Sequence, residues 1–310
     1  MKWPDTAELG ARYGVLVVLA LIIFANALLT PNFATFRNVE ITLIQIVFVL
    51  LVGTGMTLVI ATGGIDLSVG AVMGFVSVIA YWLLDQGLLV LLPVSLLAGL
   101  AIGALNGVVI ATFNVQPILI TLGSLIWVRG LAQFLSGGRK EYFDDPAMHF
   151  LGTGRLAGIP VQVLITAVVV AIVAFLVART VFGRQLVAAG GNRSAARLAG
   201  VPIRRTIVVA YAASGLLAAL AGVFITARVG SSDPTNFGVL IELDAIAAVV
   251  VGGTALTGGR ARVLGTVVGA LVLQFVTAAM IMNNVNFQFS LLAKALIILA
   301  AVYLQRSRAR

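Results

Sequence analysis

The stretch Gly53-Thr54-Gly55-Met56-Thr57-Leu58-Val59-Ile60-Ala61-Thr62-Gly63-Gly64-Ile65-Asp66-Leu67-Ser68-Val69-Gly70 decides how the chain is read. Its first half is the end of an apolar run, in which Gly53 and Gly55 let backbones pack closely, as helices in a membrane require. Gly63-Gly64 then releases the helix. Asp66 or Ser68 can cap the next one by accepting from its free N–H groups. Two compatible readings follow: a tight helical hairpin, or a broken helix whose free polar ends line a solute path.

The rest of the chain matches that apolar run. Of 310 residues, 61% are hydrophobic and 10% charged, with a mean hydropathy of +1.12. Soluble domains hold about 45–50% apolar and about 25% charged residues, and need a polar exterior. A soluble globular enzyme is therefore excluded, and so is intrinsic disorder, which needs low hydrophobicity. There are no cysteines, so disulfides, thiolate metal sites and thiol nucleophiles are absent. The single histidine, His149, builds neither a multi-His metal site nor a His-based proton relay. Residues 1–12 contain Asp5 and Glu8, and no small-residue cleavage site follows the first apolar run, so this run is expected to remain as a membrane helix. No cofactor is expected.

Ten segments approach the roughly 20 apolar residues that cross a bilayer core: 13–30, 41–62, 67–84, 88–112, 116–136, 160–179, 205–228, 244–257, 263–282 and 289–304. The third and eighth are short and glycine-rich, so either could be broken or re-entrant, a geometry that survives at membrane depth only when buried in protein or lining a watery cavity. With the N-terminus inside, about thirteen Lys and Arg fall in inner loops and about five in outer ones, which places both termini in the cytoplasm. The net charge of +9 is read the same way. Nucleic acid is not an expected partner, because the arginines lack interleaved aromatics. The whole of 1–310 reads as one transmembrane domain. Its outer, periplasmic loop is 137–159, with Glu141, Asp144, Asp145 and His149, and its inner loop is 180–204, which has no acidic residue.

Residues 65–74 align without gaps on 243–252, an echo that would make an inverted repeat. Around that second copy, Glu242 and Asp244 precede Gly252-Gly253. Acids at a helix start meet the positive end of its dipole, and a gating or docking role fits them better than acid–base chemistry. Arg129 lies inside a span, so it either snorkels or meets a cavity or partner. Lys294, near the outer end of the last span, is expected to snorkel. Asn106, Asn114, Gln116, Gln274, Asn283, Asn284 and Asn286 suit a path for neutral, hydroxyl-rich solutes, or equally hold helices together. In the inner loop, 194–199 reads as a short helix between Gly190-Gly191 and Gly200-Val201-Pro202. Its small residues suit docking into a partner's cleft. No G-x-x-x-x-G-K-[ST] phosphate loop, H-E-x-x-H or G-x-S-x-G occurs.

The segments 55–70 (GMTLVIATGGIDLSVG), 188–201 (AAGGNRSAARLAGV) and 242–259 (ELDAIAAVVVGGTALTGG) resemble, in order, the signatures of ribose-type sugar permeases of ABC importers. The resemblance covers nearly the whole chain. It implies an all-α, ten-helix permease of the type II importer fold that works with cytoplasmic ABC ATPase subunits, a periplasmic sugar-binding protein and a second permease, identical or related. It further implies a coupling role for Gly190, Gly191, Asn192, Arg193, Ser194, Ala195, Ala196, Arg197, Gly200 and Val201. The family's usual coupling glutamate is replaced here by Ser194. Residues expected on the pathway or gate are Gly63, Gly64, Asp66, Ser68, Asn106, Asn114, Gln116, Arg129, Glu242, Asp244, Gly252 and Gly253. Family substrates include ribose, xylose, arabinose, galactose and galactofuranose. Permeases for autoinducer-2 and branched-chain amino acids share the superfamily. From another class, an ion-coupled secondary transporter would use Asp66 as its cation or proton site, but few ionisable residues lie deep in the spans.

Overall fold

In a computed structural model, residues 6–307 are described, and among them the chain is mainly helical. The first half comprises α1 (Thr6–Leu29), α2 (Phe36–Ala61), α3 (Val69–Trp82), α4 (Leu88–Phe113) and α5 (Pro117–Ser136). The region after α5 holds β1 (Glu141–Tyr142), α6 (Pro146–Thr153), β2 (Arg155–Leu156) and β3 (Ile159–Pro160). Then follow α7 (Val161–Arg179), α8 (Val181–Gly191), α9 (Arg193–Leu198), α10 (Ile203–Val229), β4 (Ser231–Ser232), α11 (Ile241–Val251), α12 (Val263–Met282) and α13 (Phe287–Ser307). The terminal residues 1–5 and 308–310 lie outside the described residues, and the expectation for the two termini falls on them.

Six helices, α2, α4, α5, α7, α10 and α12, are long and apolar enough to cross a membrane, and shorter apolar stretches lie at 14–29, 69–82 and 288–297. The two doubtful spans both differ from a simple crossing. α3 has 14 residues, about 21 Å at 1.5 Å per residue, and is preceded by the non-helical run 62–68. The eighth span is not 244–257: α11 has 11 residues, 241–251. It is entered through the largely irregular run 230–240 and ends at Gly252-Gly253. Glycine and local left-handed backbone explain both breaks, with Gly63 at φ 80°, Gly238 at 73° and Leu240 at 64°.

The centre of the molecule is the pairing of α4 with α10. Gly99, Gly103 and Gly107 recur every four residues along α4 and lie directly against the α10 backbone at Gly215, Tyr211 and Val208. A side chain at any of them would collide with main-chain atoms, which cannot swing away. Such small-residue seams hold membrane helices together by close van der Waals contact, because lipid supplies no hydrophobic drive between helices. Around the seam lies an apolar core that includes Leu51, Met56, Val72, Met73, Val76, Leu217 and Phe224, all nearly inaccessible.

The packing of the first four-helix set is repeated in the last. α4 packs on α10 as α12 packs on α2, α3 packs on α10 as α11 packs on α2, and α5 lies against α3 as α13 lies against α11. The gap-free echo of 65–74 on 243–252 is out of register with this arrangement. Asp66 precedes the start of α3 at Val69, whereas Asp244 lies inside the first turn of α11.

One end of the bundle gathers α8, α9, the start of α10 and the turn 252–262, where Gly259 meets Gly191. It carries Arg184, Arg193, Arg197, Arg204, Arg205, Arg260 and Arg262 and is the basic end of the molecule. The expected short helix of the inner loop is α9, capped by the Asn192 side chain, which accepts from the Ala195 N–H. At the other end, the 137–159 region is built rather than loose. β1 pairs antiparallel with β4 through Glu141–Ser232 and Tyr142–Ser231, and the Asp145 side chain caps α6 by accepting from the Met148 N–H at 2.7 Å.

Candidate functional site: a buried polar chain at the start of a half-length helix

The run 62–68 rises from the basic end and carries Asp66 into the bundle, where it is fully buried. A buried carboxylate is costly unless its oxygens are satisfied. Here Oδ1 accepts from the Ser68 N–H at 3.0 Å and the Ser68 hydroxyl at 2.6 Å. Oδ2 accepts from the Ser214 hydroxyl of α10 at 2.9 Å. Ser68 in turn accepts from the Asn106 amide of α4 at 3.0 Å, Asn106 Oδ1 accepts from the Ser124 hydroxyl of α5, and the Trp127 indole donates to Ser124. The carbonyl of Ile65 receives Thr121 and Tyr211 hydroxyls. One short non-helical run thus joins α3, α4, α5 and α10, and Asp66 braces the turn just before α3. Networks of this kind rigidify when fully satisfied.

The second non-helical run enters from the opposite end. Ser232 meets Ser77 of α3 at 3.2 Å, and Gly238 lies against Gly70 near the start of the same helix. The distance from Ser77 to Gly70 is about 10 Å of helix, so the run descends that far beside α3 before α11 begins. Half-buried Arg129 of α5 fixes it, donating from Nη1 to the carbonyls of Pro234 at 2.8 Å and Phe237 at 2.7 Å. Arg129 therefore meets partners rather than snorkelling. Asp233 closes the run on itself by accepting from the Thr235 and Asn236 N–H groups. Glu242, in the first turn of α11, faces Gly70, and its buried Oε2 has no hydrogen-bond partner. The first turns of α3 and α11 thus lie side by side within the bundle, with Asp66 just before the one and Glu242 in the other.

Asp244 does not join this group. Its carboxylate accepts from Lys294 of α13 at 2.8 and 3.0 Å. Lys294 is therefore inside the protein in an ion pair, not snorkelling. Gly252 packs on the Gly265 backbone of α12 and Gly253 faces Arg262, so both shape the turn into α12. Among the other amides, Gln274 donates to Gln45 at 2.7 Å and Asn283 to Thr30 at 2.9 Å, both joining helices. Asn286 accepts from the Gln288 N–H.

At the basic end, the α8–α9 segment touches the exit of α2. Gly190 lies against the Ala61 carbonyl, the Gly259 N–H donates to that carbonyl at 3.0 Å, and Arg193 reaches the Thr62 carbonyl at 3.4 Å. A cavity of about 470 Å³ is lined by Thr62, Gly63, Asn114, Gln116, Gly190 and Arg193 among others. Gly64 lies above it against the Tyr211 hydroxyl. Ala196 is buried with Ile203 and Ile207. Ser194, Ala195 and Arg197 are exposed, and Gly200 and Val201 close α9 by donating to the Arg197 and Ala196 carbonyls. Sequence reasoning missed Ser214, Ser124, Thr121 and Tyr211, because single hydroxyls on apolar helices carry no spacing signal. No group of three or more acids or histidines that could hold a metal occurs among the described residues.

Long apolar helices enclosing a polar chain, with two half-length helices starting inside the bundle, define a multi-pass membrane protein with the build of a transport component. The family described as "Branched-chain amino acid transport system / permease component" matches residues 38–302, and the chain belongs to that family. It is a multi-pass inner-membrane protein. It is 38% identical over 292 residues to the ribose import permease protein RbsC of Haemophilus influenzae, covering 92% of this chain and 90% of that one. The galactofuranose transporter permease protein YtfT of Escherichia coli K12 is 35% identical over 323 residues, at 98% and 94% coverage. The L-arabinose transport system permease protein AraH of the same organism is 36% identical over 304 residues, at 95% and 90%. No solved structure matches the chain significantly.

Proposed function

We propose that this chain is the permease subunit of an ATP-driven, binding-protein-dependent importer that moves a monosaccharide, a pentose, hexose or galactofuranose, across the cytoplasmic membrane by alternating access. The names of its relatives support the substrate class. The buried chain of hydroxyls and amides, with its one carboxylate already engaged by three donors, supports a neutral polyol solute over a coupling ion.

In this reading the basic end is cytoplasmic, as the excess of arginine supports, and 36–136 and 203–307 form an inverted repeat within one domain. ATP is hydrolysed on separate subunits. They press on 190–201, a binding protein delivers sugar at the end carrying 137–159, and a second permease completes the pore. The carrying observation is the contact of Gly190 with Ala61 at the foot of the run that bears Asp66. A switch needs a contact that differs between two states, and this junction lies where a push on α9 reaches both that run and the mouth lined by Asn114 and Gln116.

The test is reconstitution in proteoliposomes with the cognate ATPase and sugar-binding protein. Sugar uptake that requires all components and ATP is expected. Uptake by this chain alone, driven by an ion gradient, or ATP hydrolysis by this chain alone, overturns the proposal. Amino acids competing for the cognate binding protein where sugars do not would overturn the substrate class.

A further inference from the structure

A second cavity opens at the basic end, between the C-terminal end of α4, the start of α10 and α9. It measures about 710 Å³ and is lined by Ile110, Arg193, Arg197, Arg204, Arg205 and Ile207, with further apolar neighbours. Four arginines converge here, and none has a carboxylate partner among the described residues, whose ion pairs are Arg155–Glu40 and Lys294–Asp244. No Asp or Glu occurs in 180–204 or in 105–117. Arg204 is aimed by its bonds to the Ala111 and Thr112 carbonyls, both at 3.4 Å. The walls beneath the guanidinium groups are aliphatic. The cavity sits where two membrane-spanning helices end, the depth at which lipid phosphates lie.

Free inorganic anions would not need the aliphatic walls, and a simple cytoplasmic charge excess would not need a cavity. An amphiphile with a phosphodiester head and an acyl chain satisfies both halves of the site. Arginine forks match phosphate oxygens two at a time, and basic pockets between membrane helices are a known way to hold anionic head groups. We propose that this cavity binds an anionic phospholipid, with Arg204 and Arg205 holding the phosphate on the membrane side and Arg193 and Arg197 closing over it from α9. The bound lipid ties α9 to the foot of α10, so it sets how firmly the α8–α9 segment is seated.

The full-length chain is purified in detergent, alone and with its co-expressed partners, and bound lipid is counted by native mass spectrometry after addition of phosphatidylglycerol or phosphatidylcholine. Wild type retains phosphatidylglycerol and not phosphatidylcholine. Arg204→Gln/Arg205→Gln retains at least about tenfold less, since each basic residue near an anionic lipid surface contributes a factor of about five. Arg204→Lys/Arg205→Lys, which keeps the charge, retains part of it, and this separates lost binding from lost folding. Arg139→Gln/Lys140→Gln, at the opposite end, retains wild-type amounts. Equal retention by the Gln pair and wild type overturns the proposal. So does displacement of the lipid by millimolar inorganic phosphate, which would make this a free-anion site. Complete loss of the lipid when the partners assemble also overturns it, because the site would then belong to an acidic protein surface.

Discussion

Gly190, at the end of α8, lies in direct contact with the carbonyl of Ala61, the last residue of α2, and Gly259 donates its N–H to the same oxygen at 3.0 Å. Gly191, one residue on, has only the Gly259 Cα near it, at 3.9 Å from where a Cβ would stand. The two neighbours therefore predict opposite outcomes. Gly190→Ala sets a Cβ against the Ala61 carbonyl and forces the α8–α9 segment off α2, and it is expected to lower ATP-dependent uptake about tenfold or more, by analogy with the cost of a misplacement near 1 Å in an enzyme site. Gly191→Ala is expected to transport as wild type. Uptake and substrate-stimulated ATPase activity, measured side by side, check the pair. Equal activity of the two variants refutes the assigned role.

Asp66 is a brace whose loss strands its donors. Asp66→Ala leaves the buried Ser68 and Ser214 hydroxyls without their acceptor, at about 1–3 kcal/mol for each group left unpaired. A lower Tm in detergent is expected, together with loss of uptake. Asp66→Asn keeps an acceptor oxygen and is expected to fall between the two in Tm. An unchanged Tm for Asp66→Ala would show that the network does not hold the α3 start in place.

The Lys294–Asp244 pair carries α13 against α11. Removing one partner leaves an uncompensated charge in a mostly buried site, which costs more than removing both. Lys294→Met alone is therefore expected to be less stable than Lys294→Met/Asp244→Leu, and Asp244→Lys/Lys294→Asp is expected to recover part of the loss. Thermal unfolding of the three variants checks the order. Additive losses would mean that the contact is incidental.

The α4–α10 seam admits no side chain. Gly103→Val drives a branched side chain into the Tyr211 carbonyl and is expected to cost about 3 kcal/mol or more, at or above the top of the usual range for overpacking, read as loss of folded protein in the membrane. Gly123→Val, on α5 where nothing lies within 4 Å, is expected to express normally in this chain taken by itself. Its effect on assembly with a second permease is a separate readout.

The legible part of this molecule was what repeats or interrupts. Long apolar runs marked α2, α4, α5, α7, α10 and α12, and the glycine pairs at 63–64 and 252–253 marked one end of each broken span. The eighth span, α11, starts at Ile241, earlier than hydropathy placed it. Glu242 and Asp244 lie inside the bundle against Gly70 and Lys294, and at Asp244 the ion pair offsets what a hydropathy window counts as an interruption. Arg129 was visible as an anomaly, and its acceptors were not, because they are main-chain carbonyls more than a hundred residues away. The same holds for Ser214: a lone hydroxyl has meaning only once folding brings Asp66 to it.

The glycine seam between α4 and α10 sets where this protein can bend. Main chain resting on main chain has no rotamers to exchange and no slack to take up, so those two helices act as a single stiff beam. Spin labels placed on their lipid-facing sides should keep one separation whatever nucleotide or sugar is present, while labels on α5 and α13, which have no packed glycine seam, register the cycle.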